Sequence, residues 1–393
     1  MKKEINVESN STNKKMRVIM FGHKRIPSRS GGIETVLTEL CPKLVLNGFE
    51  ITVLNRAGEK IKHGDYQPVR HNFKGVKVKN VPSIRLKGLS AVISSFIAAF
   101  IAAFGPYDLV HIHAEGPSVM IWLPHLMRKK CIVTVHGLDW KRDKWHHGFG
   151  AHYIHFGEKM LAKYADAIIV LNKDTQKYFK KTYSRNTFYI PNGVKKSDQI
   201  EPSIITKKFG LFGDDYFLTV SRLTPEKGIL PLIESFRGVD TNKKLVIVGD
   251  GSDTDEYVKK IIKLSQSDSR IIFTGFVGGR LLSELYSNAF VYIIPSFVEG
   301  MPMSLLEALS FGNAVAASNI PEIAEVVGRD HALLFSPKDQ NQMKNVINRF
   351  LHDTRLRCAM KQSSKNYVAD KYSWNIVAHE TSKVYLQVLF KGE

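Results

Sequence analysis

Two acids, Glu299 and Glu307, stand eight residues apart in SFVEGMPMSLLEALSFG, and two cations, Arg222 and Lys227, stand five apart in VSRLTPEKG. Carboxylates accept hydrogen bonds from sugar hydroxyls, whereas a planar guanidinium fork and a mobile ammonium suit phosphate oxygens. Each charged hydrogen bond contributes about 1.5 to 3 kcal/mol, so the four side chains together suit a ligand carrying both hydroxyls and a diphosphate. Taken singly they say little, because glutamates are common on solvated helix faces and loop cations are usually solvated. Context changes that. The apolar run FVYIIPS ends at Pro295-Ser296, a loop with Gly300 follows, and MSLLEALSFG reads as a short helix closed by Gly312. Its free N–H groups near Met303 and Ser304 form an anion site at the positive helix end. Glu299 then lies before that end, suited to a sugar ring, and Glu307 lies one turn inside, suited to a ribose.

A second phosphate candidate is Gly31-Gly32 in SRSGGIET, where glycine lets backbone N–H groups approach an anion at a helix start. The pair lacks the GxGxxG spacing and reads equally as turn chemistry. His136 in TVHGLD sits at a strand end, where a lone histidine is usually structural.

The elements that must carry these residues alternate between strand and helix. MRVIMFG, EITVLNR, YDLVHIHA, CIVTVHG, ADAIIVLN and TFYIPNGV recur with room for crossover helices, as a parallel sheet requires. Between the first two, Ile33, Val36, Leu37, Leu40 and Leu44 share one helical face, with Pro42 expected to interrupt and kink the helix. The pattern restarts with YFLTVSRL, KLVIVGDG, RIIFTGFV, AFVYIIPS, NAVAAS and ALLFSP. The expectation is an α/β chain of two Rossmann-like, doubly wound domains, 1–194 and 195–375, facing a cleft at their strand ends. Residues 376–393 are expected to form a helix packing back on the first domain, and residues 1–15 a disordered leader.

Charge is divided unevenly: residues 1–200 hold 33 basic and 15 acidic side chains, and residues 201–393 hold 23 and 22. Anionic surfaces or substrates should therefore meet the first half, unless the excess is a solvated face kept for solubility. Cys41, Cys131 and Cys358 have no paired spacing, which fits a reducing cytoplasm and implies neither a disulfide framework nor zinc. The amino terminus MKKEINVESNSTNKK has no apolar core of the signal-peptide kind. Gly88–Tyr107 is an uncharged run of 20 residues, but its bracketing Gly88 and Gly105-Pro106 leave a helix of about 24 Å, short of about 30 Å of hydrocarbon. It is expected to be buried or to pack between domains, with an interfacial helix as the alternative.

The segments GGIET, NGFEITVLNR, TVHGLDW, YIPNGV, SRLTPEKG, LVIVGDGS, FTGFV and the E-x7-E block together resemble the family 4 retaining glycosyltransferases, two-domain enzymes of the GT-B fold. The resemblance spans nearly the whole chain. It implies transfer of a sugar from a nucleotide-diphosphate donor, with Arg222 and Lys227 on the departing diphosphate and the backbone beyond Phe276 and Val277 on the base. It further implies Glu307 on the ribose, Glu299 and the amides of Met301 to Ser304 on donor sugar and phosphates, and His136 over the sugar from the opposite domain. Gly300-Met301-Pro302-Met303 replaces the glycine-phenylalanine-glycine common after the first acid, which leaves the donor open. No metal or other cofactor is expected. The acceptor implied by analogy is a polyprenyl-diphosphate-linked or other glycan in bacterial surface-polysaccharide assembly.

Rival readings are a basic nucleic-acid-binding protein and another enzyme of the same fold, such as an epimerase. The first leaves the second domain unexplained and has no recognition motif. Asp253-Thr254-Asp255 imitates a metal-binding D-x-D but reads as helix capping. His146, His147, His152 and His155 lack metal-ligand order. Trp140 and Trp145 flank a basic loop that suits an anionic bilayer or internal packing equally.

Overall fold

The structure, a computed structural model, describes residues 15–57, 71–83, 89–141, 149–251, 255–328 and 330–390. The first sheet is built from β1 (Arg17–Phe21), β2 (Glu50–Arg56), β3 (Asn72–Phe73), β4 (Val76–Val81), β5 (Leu109–His113), β6 (Lys130–Val135), β7 (Ala167–Val170) and β8 (Phe188–Tyr189). Its spatial order is β3-β4-β2-β1-β5-β6-β7-β8, parallel except for the β3-β4 pair. Central strands such as β5 and β7 are buried along their whole length, because helices cover both faces and every side chain must be apolar or satisfied.

The second sheet comprises β9 (Tyr216–Val220), β10 (Lys244–Val248), β11 (Ile271–Gly275), β12 (Val291–Ile294), β13 (Val315–Ser318) and β14 (Leu333–Phe335). It is ordered β11-β10-β9-β12-β13-β14 and its strand pairs are parallel. Each sheet reverses direction once, between β1 and β5 and between β9 and β12. Loops leaving neighbouring strands diverge at such a point and open a crevice. In the second sheet the loop bearing Arg222 and Lys227 and the loop bearing Glu299 leave the two strands that flank this point.

Every strand read from the sequence is present, and the β3-β4 hairpin is an addition. Its turn places Lys74 at φ 49° and Gly75 at φ 86°, the left-handed pair that suits a tight hairpin. The helix Gly32–Leu46 runs on through Pro42, so the proline does not end it. The helix Leu89–Phe104 departs from its expectation of burial. Ser94, Ser95, Ala98, Ala99, Ala102 and Ala103 face the protein, while Phe96, Phe100 and Phe104 are exposed. Small residues let the helix lie close to the sheet, and its bulky residues are left outside. Among the described residues no helix is long and apolar enough to cross a membrane.

The chain crosses from the second unit back to the first at its end. Val194 N–H donates to the Tyr372 carbonyl at 2.6 Å, and a Cβ at Gly193 would fall 2.6 Å from the Trp374 ring. The last helix, Trp374–Leu389, starts under the Ser373 side-chain cap and packs on the helix Gly32–Leu46. Trp374, Val377, Val384, Tyr385 and Val388 join Val18, Met20 and Leu37 in one buried cluster. Within it the Tyr385 ring stands edge-on to Phe49 at 5.3 Å, and its hydroxyl shares a 2.6 Å hydrogen bond with His111 Nδ1. Replacing Tyr385 by Phe keeps the packing and strands the imidazole nitrogen, so stability in a urea titration should fall by about 1 kcal/mol or somewhat more. An unchanged midpoint would show that the bond contributes nothing.

Candidate active site

The crevice is assembled from strand-end loops. After β9 the chain turns through a 3-10 segment, Pro225–Lys227, closed by Gly228 at φ 67°. A Cβ on Gly228 would lie 2.1 Å from the Pro295 carbonyl, so only glycine lets this loop lie against the end of β12. Phe297 N–H donates to the Glu226 carbonyl at 2.9 Å and joins the two loops from the other side. Between them Lys227 Nζ meets Glu299 Oε1 at 2.6 Å, with side chains only 14% and 8% exposed. Ser296 Oγ donates to the same oxygen at 2.7 Å. Removing one partner from a pair this enclosed costs about 3–5 kcal/mol, since the other charge is left desolvated.

Arg222 takes a different position. It is 43% exposed and its Nη2 lies 3.7 Å from Glu226 Oε1. The two cations therefore flank the crevice, and only Lys227 engages a glutamate of the E-x7-E block directly. Gly249, after β10, could not carry a Cβ, which would fall 1.8 Å from the Ser221 carbonyl. Gly249 N–H in turn donates to the Gly275 carbonyl at 3.0 Å. The ends of β9, β10 and β11 are thereby drawn together, with Phe276 and Val277 following directly on β11.

The helix Met303–Ser310 opens at Pro302 without a side-chain cap, which leaves its first N–H groups to be met from elsewhere. Glu307 lies within it. Its Oε2 accepts from the Tyr286 hydroxyl at 3.2 Å, and its Oε1 pairs with Arg29 from the first domain. Burial pushes the Glu307 carboxyl above its ordinary range, opposed by the Arg29 charge and the Tyr286 hydrogen bond.

The opposite wall comes from the first sheet. A Cβ on Gly300 would sit 1.8 Å from the His136 carbonyl, so the loop holding the first acid abuts the end of β6. Asn172 Nδ2 donates to the Gly300 carbonyl at 2.8 Å, and Asn192 Nδ2 to the Met301 carbonyl at 3.2 Å. Asn172 also caps the helix Lys173–Tyr183 through Oδ1. His136 Nε2 and His113 Nδ1 share a 3.0 Å hydrogen bond. Deeper, Asn55 Oδ1 accepts from His23 Nε2 and from Ile26 N–H, both at 3.0 Å, and fixes the loop that leads to Arg29. Gly31 caps the helix Gly32–Leu46 in an extended conformation, with Glu34 beside it.

The Glycosyltransferase Family 4 model matches residues 30–197, and the Glycosyl transferases group 1 model matches residues 204–367. The chain belongs to the GT-B glycosyltransferases of the family 4 kind. An uncharacterized glycosyltransferase of Methanocaldococcus jannaschii is 26% identical to it over 94% of this chain and 98% of the relative. A putative teichuronic acid biosynthesis glycosyltransferase of Bacillus subtilis is 26% identical over 63% of this chain and 62% of the relative. The Anabaena protein HepE, solved with UDP and glucose, superposes with a TM-score of 0.78 at 16% identity, over 95% of this chain and all of that one.

In this glycosyltransferase the residue that sequence reasoning missed is Arg29. The signal was a cation two residues before Gly31, in the loop between the first strand and the first helix, a position equivalent to that of Arg222 and Lys227 in the second domain. Asp253 and Thr254 lie outside the described residues, and Asp255 begins the helix Asp255–Ser265. His146 and His147 also lie outside them, and His155 stacks on Trp140 at 5.5 Å. Among the described residues no group of three or more His, Cys, Asp or Glu could hold a metal ion. Trp140 packs inward and donates from Nε1 to Glu158 Oε2 at 3.1 Å, while Trp145 lies outside the described residues.

The histidines behind the site set its acid tolerance. Burial lowers His23 to about 4, against the Asn55 hydrogen bond and assisted by the Arg56 charge. Burial lowers His111 to about 3 and, with its histidine neighbours, puts His113 well below the usual range. The unfolded chain protonates these groups near pH 6.5, whereas the folded chain resists until far lower pH. The stability they confer is full above pH 6.5 and drains as pH falls toward 4 and then 3. The melting temperature should fall steadily from pH 6.5 to 4.5, and a flat profile in a fluorescence melt series would contradict the assignment.

Proposed function

We propose that this enzyme transfers a hexosyl or related sugar from a nucleotide-diphosphate donor to a glycan acceptor carried on a lipid diphosphate, with retention at the anomeric carbon. The observation that carries the reading is the enclosed Lys227–Glu299 pair, set at the uncapped start of the helix Met303–Ser310 and facing the His136 loop of the other domain. In this reading Lys227 and Arg222 stabilise the charge that develops on the leaving diphosphate, and the amides of Met301, Met303 and Ser304 share it. Glu299 is held by Lys227 and Ser296 with one carboxylate oxygen, so the other is turned to a sugar hydroxyl. Glu307 receives the ribose in place of Arg29, Phe276 and Val277 border the base, and Gly31-Gly32 close over the phosphates.

The C1–phosphate oxygen bond breaks while the acceptor hydroxyl oxygen bonds to C1 on the same face. The acceptor proton passes to the departing phosphate oxygen, so no side-chain base and no metal are required. His136, oriented by His113, lies over the sugar and helps exclude water. Bacterial surface-polysaccharide synthesis at the cytoplasmic face of the membrane is the proposed setting, supported by the Bacillus subtilis relative named for teichuronic acid biosynthesis.

The test is a thermal-shift screen of nucleotide sugars followed by transfer assays on lipid-diphosphate acceptors. One donor should stabilise the protein and be turned over. Lys227→Ala or Arg222→Ala should then lower turnover by about 100-fold or more. Near-normal transfer by both purified variants would refute the roles given to these cations.

A further inference from the structure

The helix Leu89–Phe104 carries no charged residue, and its outward face repeats one residue type at i, i+4 and i+8. Phe96, Phe100 and Phe104 are 49%, 52% and 57% exposed, and the last two rings touch at 4.6 Å between centroids. The adjoining short helix Trp122–Leu126 packs against it and exposes Trp122 and Leu126, the latter by 69%. Soluble monomers seldom leave this much contiguous aromatic surface in water. Three phenylalanines are left outside the core while alanines and serines take the inner face.

Exposed cations lie on the elements that adjoin the face. Arg128 follows the short helix and is exposed. Lys159 and Lys163 project from the helix Phe149–Tyr164, which also packs on the short helix and exposes Phe156. They belong to the half of the chain that holds 33 basic against 15 acidic residues. An aromatic face with lysine and arginine on adjoining elements complements a bilayer surface with anionic headgroups: rings settle at the acyl boundary and cations meet the headgroups. With no described helix able to span a bilayer, the face can lie on a membrane but not cross it.

We propose that the phenylalanine face of the helix Leu89–Phe104, with the adjoining Trp122–Leu126 turn and its basic rim, docks this enzyme on an anionic phospholipid bilayer. The inference rests on the reading that the acceptor is lipid-borne, and it gives that reading a surface. The docking face belongs to the first domain and leaves the donor-holding second domain without a described part in it.

The test uses full-length protein and vesicles of phosphatidylglycerol mixed with phosphatidylcholine, compared with phosphatidylcholine alone. Wild type should sediment with the anionic vesicles at low salt and be released as salt rises. Replacing Phe96, Phe100 and Phe104 together by Ser should weaken that binding about tenfold or more, and Lys159→Glu with Lys163→Glu should weaken it and abolish the lipid preference. Both variants should keep the wild-type thermal shift with the nucleotide sugar, which shows that they fold. Wild type remaining in the supernatant, or the triple variant sedimenting like wild type, would overturn the proposal. So would a vesicle-free dimer in sedimentation velocity that the same Phe→Ser changes dissolve, since the face would then belong to a second copy. Vesicle binding without sugar transfer would sink the functional reading and leave the surface intact, and transfer to a soluble acceptor without vesicle binding would do the reverse.

Discussion

Gly300 lies against the His136 carbonyl so closely that no other residue fits, and the way the two domains meet depends on that approach. Two parallel sheets each end in a row of loops, and where strand order reverses those loops spread apart. Setting the crevice of one sheet against the loops of the other makes a site with two independent walls. The contact is secured by side-chain amides, Asn172 to Gly300 and Asn192 to Met301, which satisfy loop carbonyls that would otherwise be buried without donors. Glycine supplies the proximity and asparagine the bonds that hold it.

The same economy of backbone appears within the second domain. Gly228 and Gly249 each replace a side chain with a neighbouring carbonyl, and the result is that loops from β9, β10 and β12 converge within hydrogen-bonding reach. A lysine buried in this convergence is stabilised by Glu299 facing it, and Glu299 by Ser296 and Lys227 at one of its oxygens. The pair is thus a property of the loop packing, not of either side chain alone. Arg29 and Glu307 form a more exposed pair that, unlike Lys227–Glu299, joins the first domain to the second. That tie must open for any ligand that needs the Glu307 carboxylate.

Much of this was legible in the chain itself. Apolar runs of four to six residues marked the strands because strands covered on both faces cannot alternate, and the glycines and acids at their ends marked the loops. The hairpin Asn72–Val81 escaped because its signal is the opposite, alternating valine and lysine around Lys74-Gly75 at a sheet edge. Arg29 escaped because its partner is distant in sequence and belongs to the other domain. The helix Leu89–Phe104 was misread for a physical reason: apolar composition was equated with burial, whereas alanine and serine took the inner face because the sheet lies close, and phenylalanine was left outside. Periodicity of side-chain size, not of hydrophobicity, held that information.

The last helix has a consequence for how the protein comes into being. Trp374, Tyr385 and Val388 complete the core around β1 and the helix Gly32–Leu46, so residues made early wait for residues made much later. Domains ordinarily condense in order of synthesis. Here the amino-terminal half emerges with an open flank, and the intervening domain can consolidate first. A nascent chain stalled before Trp374 would expose that flank to chaperones, and emergence of the helix Trp374–Leu389 would cover it.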